Sequence, residues 1–165
     1  MTTRFLTVDE LIYISEQIPT VSTIHRILKG KDRVRDMDLL ETAWGRPMQT
    51  VFGRDAYPTL EAKAAALLHS LARNHPFADG NKRVATVAAI FMLAVNGRCV
   101  AWDQEEALQH ILDLAEGRMD DDAFANWLPT TPCPLSAEPD TERDMQTIAA
   151  IMREHAWLLD QLAIR

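Results

Sequence analysis

The stretch TLEAKAAALLHSLARNHPFADGNKRVATVAAIFMLAVNG, residues 59–97, decides the fold of this chain. Thr59 caps a helix that runs to Asn74. Its Ala- and Leu-rich composition predicts burial on most sides, hence a central position. A second apolar helix begins near Asn81 and ends at Asn96, where Gly97 supplies a C-terminal stop. The break between them, His75 to Gly80, is short and densely polar, and the two helices meet there.

Outward from this pair, helical periodicity dominates. Thr7 and Glu10 form a capping box, Leu11, Ile14 and Ile18 give the helix an apolar face, and Pro19 ends it. Ile24, Ile27 and Leu28 suggest a short helix, and the charges of residues 29–35 read as a solvated loop. Asp36 caps a helix through Trp44 with Leu39, Leu40 and Ala43 inward. Gly45, Pro47, Gly53 and Pro58 punctuate residues 45–58, with Thr50, Val51 and Phe52 between them; this is the one place for a hairpin or extended flap. Asp103 and Glu106 open a helix that ends at Gly117, and a short helix fits Asp121 to Leu128. Four of the eight prolines fall in residues 129–139, marking a linker or an ordered wrap. A last amphipathic helix, Thr141 to Ala163, carries Met145, Ile148, Met152, His155, Leu159 and Leu162 on one stripe. The expectation is an all-α bundle with one small hairpin: a domain over 1–128, a proline-rich linker over 129–140 and an extra C-terminal helix over 141–165.

Composition narrows the function. A net charge of −7 argues against a surface that binds nucleic acid broadly, so any basic site must be local. No apolar run approaches a bilayer span and no signal-peptide core precedes Asp9, which predicts a cytoplasmic chain that does not contact membrane. Cys99 and Cys133 have no metal-ligand spacing and read as free thiols. The five histidines are scattered, so no zinc site is expected.

The chemistry is in His75-Pro76-Phe77-Ala78-Asp79-Gly80-Asn81-Lys82-Arg83. A helix N-terminus presents free N–H groups and a positive dipole end, which suits an anion. Lys82 and Arg83 oppose that dipole, and so make sense with an anion at the helix end. Asp79 beside a phosphate calls for a cation between them, and Mg²⁺ fits. His75 can act as general base for a hydroxyl. Phe77 points into the core and anchors the loop; Asn81 bonds phosphate or holds the loop. The same residues could also form a plain helix–helix turn.

At these nine residues the chain resembles the Fic/Doc superfamily, in its death-on-curing branch, whose core reads HPFx(D/E)GN(G/K)R. The stretches FLTVDEL near the start, RDMDLLETA at 35–43 and YPTLEAKAAALLHSLA at 57–72 look like that branch, and the resemblance covers about residues 4–128. It implies His75 as the base, Asp79 as the Mg²⁺ ligand and Gly80, Asn81, Lys82 and Arg83 as a phosphate cradle. It also implies Val51, Phe52 and Gly53 as a flap that docks the target by strand-like pairing. Arg73, Asp36 and Glu41 either support the site from behind or are surface and capping charges.

AMP-transferring relatives usually have Gly where Lys82 stands and a second Arg where Thr86 stands. A lysine there fills phosphate space, and the missing Arg removes a fork. Doc-like proteins share the lysine, and the resemblance implies a reversed ATP whose γ-phosphoryl group faces a threonine of elongation factor Tu. An antitoxin partner is implied as well. An AMP transferase and a non-catalytic binding module are the competing readings. The C-terminal helix either adds to the core or covers the groove where an antitoxin would lie.

Overall fold

The computed structural model describes residues 2–19 and 28–165. The short helix expected around Ile24 and Ile27 lies outside them. Among the described residues there are eight α-helices and two small antiparallel sheets. The helices are α1 (Val8–Gln17), α2 (Met37–Gly45), α3 (Leu60–Asn74), α4 (Asn81–Val95), α5 (Gln104–Ala115), α6 (Asp121–Trp127), α7 (Thr141–Glu154) and α8 (Ala156–Ala163). None is long and apolar enough to cross a membrane.

Local chemistry explains most starts. Thr7, Asp36, Thr59, Asp103, Asp120 and Asp140 each accept a backbone N–H in the first turn of α1, α2, α3, α5, α6 and α7. The Thr7–Glu10 capping box is complete. Helices α3 and α4 lie at the centre, packed on each other, with α2 and α6 against α3 and α1 and α7 against α4. Helix α4 is buried nearly all round, from Val84 through Leu93. Such a helix cannot shift without disturbing the core, so the residues at its first turn are held firmly.

Strands β1 (Thr50–Val51) and β2 (Arg54–Asp55) make the hairpin, with Val51 opposite Arg54. Its two-residue turn, Phe52-Gly53, has positive φ at both positions, 52° and 77°, as the twist of a tight hairpin favours. A second sheet was not expected. Strands β3 (Arg98–Val100) and β4 (Thr130–Pro132) pair with Cys99 opposite Thr131. The proline-rich segment is thereby an ordered wrap in its first part, and Cys133 N–H and Ser136 N–H extend the contact to the carbonyls of Gly97 and Val95.

That register corrects the reading of the cysteines. Cys99 and Cys133 are disulfide-bonded across a separation of 34 residues, with Cα atoms 5.8 Å apart. Spacing in sequence could not reveal it, because pairing of β3 with β4 is what brings the two residues together.

The C-terminal segment also differs from a single rod. The helix breaks at His155 (φ −107°, ψ 23°) and restarts at once as α8. The His155 ring is buried against Trp102 and bonded at Nδ1 by Gln104 Nε2. The break turns Leu158, Leu159 and Leu162 inward onto α5, while Ile148 and Ile151 of α7 pack on α4. Met145, expected on the apolar stripe, is exposed. Five buried aliphatic side chains represent roughly 7–15 kcal/mol of burial, so α7 and α8 belong to the core. Arg4 ties α7 to the N-terminus through Asp144 (2.6 Å) and Glu10 (3.0 Å).

Candidate active site

The nine-residue segment is pinned from both sides. The chain leaves α3 through His75 in the left-handed region (φ 51°, ψ 55°). That conformation costs an ordinary residue about 1–2 kcal/mol, and such outliers gather where a side chain must be aimed. The exposed imidazole stands at the mouth of a cleft. Phe77 is fully buried and forms a β-bridge with Val34. The amides of Arg35 and Asp36 both bond the carbonyl of Pro76, and the Ala78 amide bonds that of Arg33.

The loop at 29–35 is therefore more than solvated charge. Arg33 bonds the carbonyls of Leu28 and Ser15. Arg35 donates from Nε and Nη2 to the carbonyl of His75 at 2.8 and 2.6 Å, satisfying an orphan carbonyl at the end of α3. The role of Arg35 has no local sequence signal, since it and His75 lie forty residues apart.

Helix α4 opens differently from the six helices with a side-chain cap. Gly80 is its N-cap, at φ +74°, and no side chain bonds its first turn. A Cβ at Gly80 would stand 3.0 Å from Ile18 Cγ2 and 3.3 Å from Arg83 Nη2. The first turn holds no acidic residue, only the cations Lys82 and Arg83. Asn81 does not reach forward; its side chain bonds both backbone groups of Phe77.

Arg83 lies over the same end, 3.6 Å from Asp79 and bonded to the carbonyl of Pro19. Burial lowers its pKa, while Asp79 and Asp160 pull it back up; a guanidinium stays charged in any such setting. Lys82 Nζ bonds the main-chain oxygen of Arg165 at 2.6 Å.

A cleft of about 290 Å³ gathers these groups: His75, Asp79, Gly80, Asn81, Lys82 and Arg83 line it together. Its far wall, which the sequence did not disclose, is Leu162, Ala163 and Arg165 at the end of α8. Of the residues expected behind the site, Asp36 backs the loop through its main chain, and Arg73 and Glu41 lie away from it. Arg73 points to the end of α5, donating to Ala115 and packing on Gly117. Asp36 caps α2 and offers the loop its backbone amide. Glu41 is exposed on α2 and does not line the cleft. Val51, Phe52 and Gly53 form the exposed tip of the hairpin. Among the described residues no three His, Cys, Asp or Glu side chains cluster as a metal cage.

A profile described as the Fic/DOC family matches residues 5–93, more than half of the chain and the whole of this segment. The chain belongs to the Fic/Doc family. Within that family it is similar to Toxin Doc of Mycolicibacterium smegmatis (strain ATCC 700084 / mc(2)155), with 57% identity over 74 residues. That match covers 45% of this chain and 57% of the relative, so the chain spans little more than half the relative's length. No solved structure matches the chain. The Fic/Doc match stops within α4; α5 to α8, with their contribution to the cleft, lie beyond it.

Proposed function

We propose that this Fic/Doc chain is a Doc-like toxin of a toxin–antitoxin pair. It transfers the γ-phosphoryl group of ATP to a hydroxyl of a target protein, a threonine of elongation factor Tu, and so blocks translation in the cytoplasm. One observation carries the chemistry: a base, a carboxylate and two cations converge on the first turn of α4, which no side chain caps, at the wall of one cleft. The kinship to a protein named Toxin Doc supports the biological role, and a toxin implies an antitoxin partner.

In this reading His75 accepts the proton of the target hydroxyl as its oxygen bonds to the γ-phosphorus, and ADP leaves. The N–H groups at the start of α4 and the Lys82 and Arg83 side chains neutralise phosphate oxygens. Asp79 fits a Mg²⁺ ion by donor chemistry, since this ion takes one carboxylate with phosphate oxygens and waters; when bound it would offset phosphate charge. The hairpin docks the target by backbone pairing at its exposed strands.

The choice of phosphate rests on Lys82 and Thr86. Thr86 is fully buried and its hydroxyl bonds the carbonyl of Lys82, so position 86 contributes no second fork to the cleft. Lys82 lies where a glycine would leave room. Purified protein, Mg²⁺, elongation factor Tu and ATP labelled at the α or γ phosphate, with His75→Ala as control, test the proposal. Label from the γ position alone, lost in the control, is the expected result. Label from the α position would make the chain an AMP transferase, and full biological effect in His75→Ala would make it a binding module.

A further inference from the structure

The hairpin is too small to hold itself in place. Two strands of two residues each, all exposed, have almost no apolar face to bury. Its tip residue Phe52 is wholly exposed and at positive φ, so the fold gains nothing there from the aromatic ring. Whatever orients the tip must act at the root.

Two cations do so. Lys63, on α3, is only 4% exposed. A buried ammonium is costly unless it is paired, and both of its partners belong to the hairpin root. Nζ lies 3.0 Å from Asp55 Oδ2, on β2, and also donates to the carbonyl of Tyr57. Arg46 lies at the other root, just before β1. Its Nε donates to the Tyr57 hydroxyl at 2.8 Å, and its guanidinium stacks on the Tyr57 ring. Its other nitrogens meet His69 Nδ1 (2.8 Å) and Ser70 Oγ (2.9 Å) on α3, and Asp121 Oδ2 (2.8 Å) on α6. Lys63, His69 and Ser70 thus place both roots of the hairpin on one helix, and that helix ends one residue before His75. A rigid helix sets the separation along its axis, roughly 16 Å from Lys63 to Asn74.

We propose that Lys63 and Arg46 are positioning residues that hold the hairpin on α3 and thereby fix its tip relative to His75, so that a docked hydroxyl meets the base. This rests on the reading of the hairpin as the target-docking element. Neither residue lines the cleft, so neither acts on the nucleotide directly.

The test uses the full chain with Lys63→Met, Arg46→Met, Asp55→Asn and the Lys63→Met/Asp55→Asn double variant. Amide exchange at residues 49–57 should accelerate about tenfold in Lys63→Met and Arg46→Met, with α3 and α4 still protected. KM for elongation factor Tu should rise about tenfold through misplacement, while ATP affinity stays at the wild-type value. Asp55→Asn should add nothing in the Lys63→Met background, because the two share one contact. Unchanged exchange at 49–57 overturns the proposal, as does a fall in ATP affinity parallel to the rise in KM, which would mean that α3 as a whole had been damaged. If the wild type labels no elongation factor Tu, the functional reading fails, and the exchange measurement still decides whether the clamp exists.

Discussion

Asn81 grips Phe77 at both backbone groups: its Oδ1 accepts the Phe77 N–H at 2.9 Å and its Nδ2 donates to the Phe77 carbonyl at 3.0 Å. The side chain at the first position of α4 thus closes the loop that precedes the helix. Asn81→Ala removes both bonds around a buried aromatic. Leaving such groups unpaired costs about 1–3 kcal/mol. Urea unfolding should register that loss, and His75→Ala should not reproduce it, because the His75 side chain is exposed. Equal stability of Asn81→Ala and wild type would show that water replaces the amide without penalty.

Gly80 is confined by two neighbours and by its backbone. Gly80→Ala meets both a left-handed φ, worth about 1–2 kcal/mol, and contact with Ile18 and Arg83. The guanidinium must move, so nucleotide binding measured by calorimetry should weaken along with stability. Gly30→Ala is the control, since Gly30 has φ +54° with nothing within 4 Å of the added carbon. It should cost stability alone. Similar nucleotide affinity in both variants would remove Gly80 from the account of the cleft.

The disulfide closes a loop that contains α5 and α6. Loop-closure entropy for 34 residues corresponds to about 3–4 kcal/mol. Cys99→Ser/Cys133→Ser should lower the urea midpoint accordingly, and reductant should lower the wild type but not the variant. The fold should survive, because Arg98 and Thr130 still pair the strands. A wild type indifferent to reductant would contradict the pairing.

Two histidines give the stability a sign with pH. Burial holds His69 below the ordinary histidine value, with Arg46 adding to the effect and Asp121 opposing it. Burial does the same to His155, opposed by Glu154. The unfolded chain gains protons at both as pH falls through about 6.5, and the folded chain resists. Stability is therefore complete above that pH and declines below it, towards the folded values. The melting temperature should fall between about pH 7.5 and pH 5.5; the fall should be shallower in His155→Gln and shallower again with His69→Asn added. An unaltered slope in the double variant would assign the effect to other groups.

Much of this molecule is written in local sequence. Six capping side chains, the Ala- and Leu-rich α3, the apolar α4 and the turn at Phe52-Gly53 all follow from interactions within a few residues. The motif from His75 to Arg83 is contiguous, so its convergence on one helix end could be read from the chain alone. Tertiary structure decided what depends on distant partners. It paired Cys99 with Cys133, drew Arg35 to the His75 carbonyl, turned Arg73 away from the cleft and bent the C-terminal helix at His155. It also set Leu162 and Arg165 opposite the motif and placed Lys63 and Arg46 under the hairpin. Most of these contacts join elements far apart along the chain and arise only when the helices pack; Lys63 lies only eight residues from Asp55, and the two meet because the hairpin folds back on α3.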